Sequence, residues 1–331
     1  MATSSARPRR VIGYDITDSG NTFTIAATFA ASNTLTKLGS GTLALSGVSG
    51  TIGLININAI GTLDVVNTAL TVTPATAGGN AVQSTTGGII NGNGTGTITL
   101  TQNSATDGGN VGTAAGTTLT INAQIIGTNA FELAGGSATG VVVLTNDNTY
   151  TGNTLINTGI LSVAKVGSSG STTSNLGTAG TIAITTDAIL RYTGTGESSN
   201  RAITLSATTT GGILDMSGTG TLTFSANFGA PGAGAKVLTL TGSTAGSGVI
   251  SGIINQGSTT NTTGVTKTGT GTWSLSGANT YTGATTISAG TLVISGGSLA
   301  NTAVSIANGL RSRSWAAGPS VTRPPLLPVA R

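Results

Sequence analysis

The side chains that could carry acid–base chemistry in this 331-residue chain are nine carboxylates, because histidine and cysteine are both absent. Without an imidazole or a thiolate, the sequence excludes Ser-His-Asp and Cys-His catalysis and a Cys/His metal site. Carboxylate catalysis needs two such groups within reach of one substrate bond. The nine carboxylates belong to Asp15, Asp18, Asp64, Asp107, Glu132, Asp147, Asp187, Glu197 and Asp215.

Glu197 and Asp215 are the best candidate for a catalytic pair, because their separation along the sequence is close to one coil of the fold inferred below. Arg191 and Arg201 are nearby in the sequence and would add positive charge. This pair leaves a β-helical polysaccharide lyase or hydrolase open as an alternative function. No spacing forces the two carboxylates together, so the interpretation we favour is a protein without a catalytic site. We also expect no cofactor and no metal ion, since calcium-binding nonapeptides and phosphate-binding loops are absent.

Positive charge is concentrated at the two ends of the chain. Residues 1–10 hold three arginines and residues 311–331 hold four, whereas residues 11–310 hold six Lys or Arg and all nine acids. Nucleic-acid binding needs basic residues and aromatic residues together on one folded face, so we expect none here. We predict disordered basic ends at 1–10 and 311–331, the second of which a frame shift or truncation would also explain. No apolar run has the length of a transmembrane helix, and no signal peptide follows residue 10.

A six-residue pattern recurs along the chain: Gly, Thr, apolar, any residue, apolar, Ser or Thr. Apolar residues at alternate positions direct one face of a strand inward, and threonine favours the outward face. Glycine before the strand permits a sharp bend. Each copy therefore predicts one short strand that begins at a corner. The copies lie at 41–46, 96–101, 180–185, 220–225, 271–276 and 290–295, with a looser copy at 61–66.

The spacing of these strands predicts a β-solenoid. Gly41 is followed by Gly61, and Gly271 by Gly290, so the copies recur at an interval typical of one coil of a repeat fold. Residues 11–310 would then form a single-stranded right-handed parallel β-helix of about 15 coils. An antiparallel sandwich would also produce alternation, but it does not predict the repeated Gly-Thr start of each strand.

Two longer segments share a more specific motif. Residues 144–163 and 267–294 both contain Asn-Thr-Tyr-Thr-Gly, followed by a strand that reads Gly-x-Leu-x-Val or Gly-x-Leu-x-Ile. Residues 37–65 resemble a decayed copy that lacks the tyrosine. These segments resemble the autotransporter-associated β-strand repeat, also called the passenger-associated transport repeat. The residues that carry the resemblance are Lys267, Gly269, Gly271, Thr272, Leu275, Gly277, Asn279, Tyr281, Gly283 and Gly290, with Asn148, Tyr150, Gly152 and Gly159 in the earlier copy.

The resemblance implies an exported β-helical stalk or adhesin-like passenger, located outside the cell or at its surface. Its implied partners are a host surface, an abiotic surface or a glycan, together with the export machinery during secretion, and we expect a monomer. The signature residues would then have structural roles. We expect the Tyr150 and Tyr281 rings to pack over coil corners with their hydroxyls at the surface. We expect Asn148 and Asn279 in amide ladders, and Lys37 and Lys267 on solvated edges.

A binding surface made of threonine is a further alternative. Thr-x-Thr pairs occur at Thr71/Thr73, Thr97/Thr99, Thr118/Thr120, Thr221/Thr223 and Thr239/Thr241. A flat threonine array of this kind would bind ice or another ordered surface. The intervals between the pairs are irregular, and outward threonine is expected from strand propensity alone.

Overall fold

The computed structural model describes residues 11–30, 33–74, 76, 78–101, 109–206, 211–257, 262–299 and 302–307. All regular secondary structure in these ranges is β-strand, and every strand pairing is parallel. The chain winds into a right-handed parallel β-helix, which confirms the predicted fold class. Both basic ends and Asp107 lie outside the described residues.

The β-helix has three faces, and each face is built from strands of successive coils. The first face has ten strands: Val11–Asp15, Thr34–Leu38, Leu54–Ile57, Asn80–Ser84, Gly109–Thr113, Phe131–Leu133, Thr154–Ile156, Thr181–Ile184, Ala202–Leu205 and Phe228–Gly229. The second face has 13 strands: Thr22–Ile25, Thr42–Ser46, Thr62–Val66, Gly88–Asn93, Thr118–Ile121, Val141–Leu144, Ile160–Val163, Ile189–Tyr192, Gly212–Met216, Lys236–Gly242, Thr263–Lys267, Thr285–Ile287 and Val304–Ile306.

The third face is divided into two separate sheets of five strands each. The first sheet contains Thr28–Phe29, Ser49–Ile52, Ala69–Val72, Thr97–Leu100 and Gln124–Ile126. The second sheet contains Glu197–Ser199, Thr221–Phe224, Ser247–Ile250, Thr272–Leu275 and Thr291–Ile294. No strand of the third face lies between Ile126 and Glu197 in the described chain, so residues 145–153 and 164–180 cross this face as loops.

The coils differ in length, and this makes the predicted count of about 15 coils too high. One coil leads from Leu43 to its partner Leu63, whereas a much longer one leads from Ile90 to its partner Ile121. The longest sheet accordingly holds 13 strands. The predicted period was read from the short coils near the ends, and the middle coils carry longer corner loops.

The core is a stack of aliphatic side chains along the axis of the β-helix. Leu43, Leu63 and Ile90 follow one another in register on the second face, and each is fully buried. The strand patterns alternate as predicted; in Leu54–Ile57, for example, every second residue is buried. Full burial of such a side chain contributes about 1.5–3 kcal/mol of hydrophobic free energy. Because neighbouring coils bury each other, the core is continuous along the whole column.

Glycine opens the strands because adjacent coils approach closely, and a sharp bend is not the main reason. A Cβ atom on Gly220 would collide with the backbone carbonyl of Thr195 in the preceding coil, and one on Gly96 would collide with that of Val65. Neither glycine has a positive φ. Only glycine brings the two backbones this close.

Replacing Gly220 with alanine is therefore expected to lower the free energy of unfolding by about 1–3 kcal/mol, the usual cost of overpacking. Urea unfolding followed by circular dichroism measures the change. Gly13→Ala is the matched control, because a Cβ there meets no atom within 4 Å. Equal losses in the two variants would contradict the close-approach explanation.

Candidate functional site

The structure does not bring Glu197 and Asp215 into register, so the one-coil alignment on which the alternative enzymatic function depends is not formed. Asp215 lies on the second face and pairs with Arg191, whereas Glu197 lies on the third face and pairs with Leu222. One full coil at this point leads from Arg191 to Asp215. The sequence separation between Glu197 and Asp215 is shorter than this coil, so the two residues lie on different faces. In the part of the chain that the structure describes, no three Asp or Glu residues cluster as metal ligands.

Both carboxylates are already bound by other groups of the protein. The Asp215 carboxylate accepts hydrogen bonds from Arg191 Nε at 2.8 Å and from Ser217 Oγ at 2.7 Å. The two Glu197 oxygens accept hydrogen bonds from the backbone N–H groups of Val166, at 2.6 Å, and Gly167, at 2.9 Å. These contacts are those of structural carboxylates that hold neighbouring coils.

Lys37 and Lys267 are fully buried, so their predicted position on a solvated edge is wrong. Each lysine folds back toward the corner that follows it, and the ammonium group donates to carbonyls of that corner. Lys37 Nζ is 2.7 Å from the Gly39 carbonyl, and Lys267 Nζ is 2.9 Å from the Gly269 carbonyl. Lys267 Nζ also reaches the Ala289 carbonyl of the next coil, at 3.2 Å. The ammonium satisfies corner carbonyls that lack strand partners, which a sequence pattern does not reveal.

Burial lowers the pKa of Lys267 from its ordinary value of 10.5 to about 8. Between these two values the unfolded chain binds a proton at this site and the folded chain does not, so stability should rise with pH. We expect the free energy of unfolding of the wild type to increase from pH 7.5 to 9.5 relative to Lys267→Met. Urea titrations at each pH measure this difference. If the stability of the wild type relative to Lys267→Met stays constant or falls as the pH rises, the lowered pKa of the buried Lys267 is contradicted.

Asn148 and Asn279 each connect three successive coils. Asn148 Oδ1 accepts from the Ile125 N–H of the preceding coil at 2.7 Å, and its Nδ2 donates to the Asn175 carbonyl of the following coil at 2.6 Å. Asn279 repeats this geometry: Oδ1 accepts from the Ile254 N–H at 3.0 Å, and Nδ2 donates to the Ser298 carbonyl at 3.1 Å. These contacts are to backbone groups, so the expected ladder of amide on amide is not formed by these two residues.

An amide ladder does exist elsewhere, on the second face. Asn91 Nδ2 donates to Asp64 Oδ1 at 2.9 Å, and Asn122 Nδ2 donates to Asn91 Oδ1 at 2.7 Å. The Thr145 hydroxyl then donates to Asn122 Oδ1 at 2.6 Å. The ladder links four coils, and sequence reasoning missed it because the irregular coil lengths hide its spacing.

Tyr150 and Tyr281 are buried together with their hydroxyl groups, so the expected surface position of the hydroxyls is wrong. The Tyr150 hydroxyl is 2.8 Å from Thr154 Oγ1, and the Tyr281 hydroxyl is 2.8 Å from Thr285 Oγ1. Burial raises the pKa of Tyr281 to about 12 and also raises the pKa of Tyr150. A threonine four residues later thus supplies the partner that a buried phenol needs.

The remaining signature residues lie where strands and corners meet. Thr272 is the first residue and Leu275 the last residue of a strand of the third face, and Leu275 is fully buried. Gly269, Gly159 and Gly290 adopt positive φ at corners. A Cβ at Gly152, Gly271, Gly277 or Gly283 would collide with the backbone of an adjacent coil. Their structural roles, assigned from the resemblance, stay predictions.

The repeat changes face along the column. Lys37 belongs to a strand of the first face, whereas Lys267 belongs to a strand of the second face. Likewise the strand with Thr154 is on the first face and the strand with Thr285 is on the second. Unequal coil lengths between the copies cause this shift, so equivalent residues of the repeat point in different directions.

A second feature that sequence reasoning missed is the loop of residues 164–180, here called the anchored loop. It replaces a third-face strand between Ile160–Val163 and Thr181–Ile184. Arg201 is fully buried beneath it and donates through Nε to the Val166 carbonyl at 3.0 Å. The guanidinium also donates to the carbonyls of Gly177 and Ala179, and Nη2 donates to Ser174 Oγ at 3.2 Å. The only signal in the sequence was a long gap rich in Ser, Thr and Gly between strands.

Every lysine and arginine in the described chain is buried or ion-paired. Lys37, Lys236, Lys267 and Arg201 are buried and donate to backbone carbonyls. Lys165 pairs with Asp147 at 2.9 Å, and Arg191 pairs with Asp215 at 2.8 Å. By contrast, Asp15, Asp18 and Asp187 are exposed. The described surface therefore presents carboxylates and neutral polar groups to solvent, and its solvent-accessible cations, Lys165 and Arg191, are ion-paired.

Together, the parallel coils and the closed corners define a β-solenoid repeat protein. The family model of the Passenger-associated-transport-repeat matches residues 35–65, 139–163 and 265–294. The chain thus carries this repeat three times, which confirms the resemblance inferred from its motifs.

One relative in the curated proteins is the "Adhesin BmaC autotransporter" of Brucella suis biovar 1 (strain 1330). It is 31% identical over 284 residues, which is 78% of this chain. The chain spans about 8% of the length of that relative. No solved structure matches the chain. Among the described residues, none forms a helix with the length and apolar character needed to cross a membrane.

Proposed function

We propose that this chain is an adhesin-like passenger stalk of an autotransporter-type bacterial protein, displayed at the cell surface or released outside the cell. The observation that carries the proposal is the unbroken column of parallel coils that contains three passenger-associated transport repeats. The similarity to an autotransporter adhesin supports the same function. Stacked coils supply length and rigidity, because almost every strand pairs with the coils on either side.

The geometry also fits export as an unfolded chain. Each coil depends only on its neighbours, so the column can grow coil by coil as the chain emerges from a pore. Asn148 and Asn279 bind a group of the coil before and a group of the coil after, which secures each repeat once the following coil is in place. The absence of cysteine avoids disulfide mispairing in an oxidising compartment.

The two alternative functions find no support in the side-chain arrangement. Glu197 and Asp215 are on different faces and engaged by other groups, as described above. The third face does carry a register row of hydroxyls, which consists of Thr221, Ser247, Thr272 and Thr291. The parallel row on the same strands contains Val249 and Val293, so a complete array of threonine is not formed.

Adhesion of beads coated with the full chain tests the proposal. Beads that carry the native chain should be retained on epithelial monolayers or on glass at least tenfold more than beads coated with albumin. Beads that carry the heat-unfolded chain are the matched control. Retention no greater than that of the control on every surface would contradict the adhesin-like function.

A further inference from the structure

The anchored loop receives an unusual share of the charged side chains of this protein. Only 7% of the chain is charged, yet Asp147, Lys165, Glu197 and Arg201 all contact this one loop or belong to it. Arg201 and Glu197 hold opposite groups of the same segment: the guanidinium binds the Val166 carbonyl, and the carboxylate binds the Val166 N–H. The base of the loop is therefore held by the buried Arg201 and the half-buried Glu197, with a more exposed Lys165–Asp147 ion pair beside them.

Uncharged side chains complete the fixation from the coils on both sides. Asn175 Oδ1 accepts from the N–H groups of Ala164 and Lys165, at 3.0 and 2.8 Å. From the following coil, Asn200 Oδ1 accepts from the Ser169 N–H at 2.7 Å. From the preceding coil, Asn148 donates to the Asn175 carbonyl. The loop lies in the gap between the two sheets of the third face, and both neighbouring coils hold it.

The segment that this framework supports is small, polar and uncharged. Residues 168–173 read SSGSTT, and Ser169, Thr172 and Thr173 are exposed. Surface loops that a rigid scaffold holds in one conformation are common binding sites, since the loop is already ordered before the ligand arrives. A stalk that needed only length would be served by a strand at this position, as in the coils toward either end of the column.

We propose that residues 168–173 bind an uncharged carbohydrate, and this inference rests on the proposed adhesin-like function. Hydroxyl groups that donate and accept hydrogen bonds match the hydroxyls of a neutral sugar. A polyanionic glycan requires free cations, and the described surface has no lysine or arginine that is both exposed and unpaired. The segment itself carries no charge that would select a charged ligand.

Binding of the full chain to immobilised neutral and anionic oligosaccharides tests the inference. The tip variant combines Ser169→Ala, Thr172→Ala and Thr173→Ala. The control variant removes three exposed strand hydroxyls by Thr22→Ala, Thr118→Ala and Thr291→Ala. We expect at least tenfold weaker binding of neutral sugars by the tip variant, unchanged binding by the control variant, and little change between low and high salt.

A second variant separates the role of the residues that hold the anchored loop from the role of the exposed segment 168–173. Asn200→Ala leaves all five hydroxyls of 168–173 in place but removes the acceptor of the Ser169 N–H. It should weaken binding severalfold and speed amide hydrogen exchange within 164–180, with exchange elsewhere unchanged. A separate control variant replaces the seven arginines at the two ends of the chain, which lie outside the described residues, with glutamine. It shows whether the ends contribute to sugar binding.

Three outcomes would overturn the inference: binding of anionic sugars alone, equal losses in the tip and control variants, or no binding of any neutral sugar. The bead assay keeps this apart from the proposed function. If beads carrying the tip variant adhere as well as the wild type, the adhesin-like function stands and the loop is not its binding site. If wild-type beads do not adhere, the function itself fails.

Discussion

Replacing Arg201 with methionine should lower the free energy of unfolding by about 3–5 kcal/mol, the cost of removing one member of a buried charged network. Methionine keeps much of the apolar stem but donates no hydrogen bond. The carbonyls of Gly177 and Ala179 then lose their guanidinium donor, whereas the Val166 carbonyl keeps the Ser174 hydroxyl as a donor. Each unsatisfied buried group costs about 1–3 kcal/mol. Urea unfolding followed by far-UV circular dichroism measures the loss.

Lys165→Met is the matched control, because it also replaces a cationic side chain at the anchored loop with methionine. The side chains of Lys165 and Asp147 are 52% and 34% exposed, so their ion pair lies at the surface. An exposed pair contributes about 0–1 kcal/mol, so the control should lose no more than that. Similar losses of unfolding free energy in the two variants would show that the buried hydrogen bonds of Arg201 do not stabilise the protein more than an exposed ion pair does.

Asn279→Asp should be about as destabilising at neutral pH, by about 3–5 kcal/mol, although the two side chains are nearly the same size. Asn279 is buried, and its Nδ2 donates to the carbonyls of Gly277, at 2.9 Å, and Ser298, at 3.1 Å. An aspartate would place a charged oxygen against two carbonyl oxygens. A protonated aspartic acid can donate one of these bonds, so the loss should be smaller at pH 4 than at pH 7.

Thermal and urea unfolding at both pH values test this prediction. Asn93→Asp is the control, because Asn93 is exposed and surface substitutions change stability by less than about 0.5 kcal/mol. Asn148→Asp should reproduce the effect of Asn279→Asp, since Asn148 Nδ2 donates to the Asn175 carbonyl in the equivalent position. A loss at position 279 that does not depend on pH would contradict the three-coil role of the amide.

The sequence motifs located the repeat correctly, and the structure explains why each signature residue type is needed. Asn-Thr-Tyr-Thr-Gly places the amide that joins three coils two residues before the buried tyrosine. Four residues after the tyrosine comes the threonine that binds its hydroxyl. The sequence pattern wrongly predicts the tyrosine hydroxyls at the surface and the lysines on solvated edges, because a polar atom in a turn-like context is usually solvated. What the pattern lacks is the coil above and the coil below, which together cover Lys267 and Tyr281.

The sequence alone determined that this chain is all-β, parallel and repetitive, because alternation and strand-opening glycine are properties of neighbouring residues. Only the tertiary structure decided the length of each coil, the face on which each copy of the repeat lies, and the burial of the lysines, tyrosines and Arg201. These depend on contacts between residues far apart in the sequence, such as Val141 with Ile160 and Arg201 with Val166. The physical reason is that the coils above and below a side chain decide whether it is solvated or buried. Because the coils differ in length, the residues that stack on it depend on the strand register, which the local sequence does not reveal.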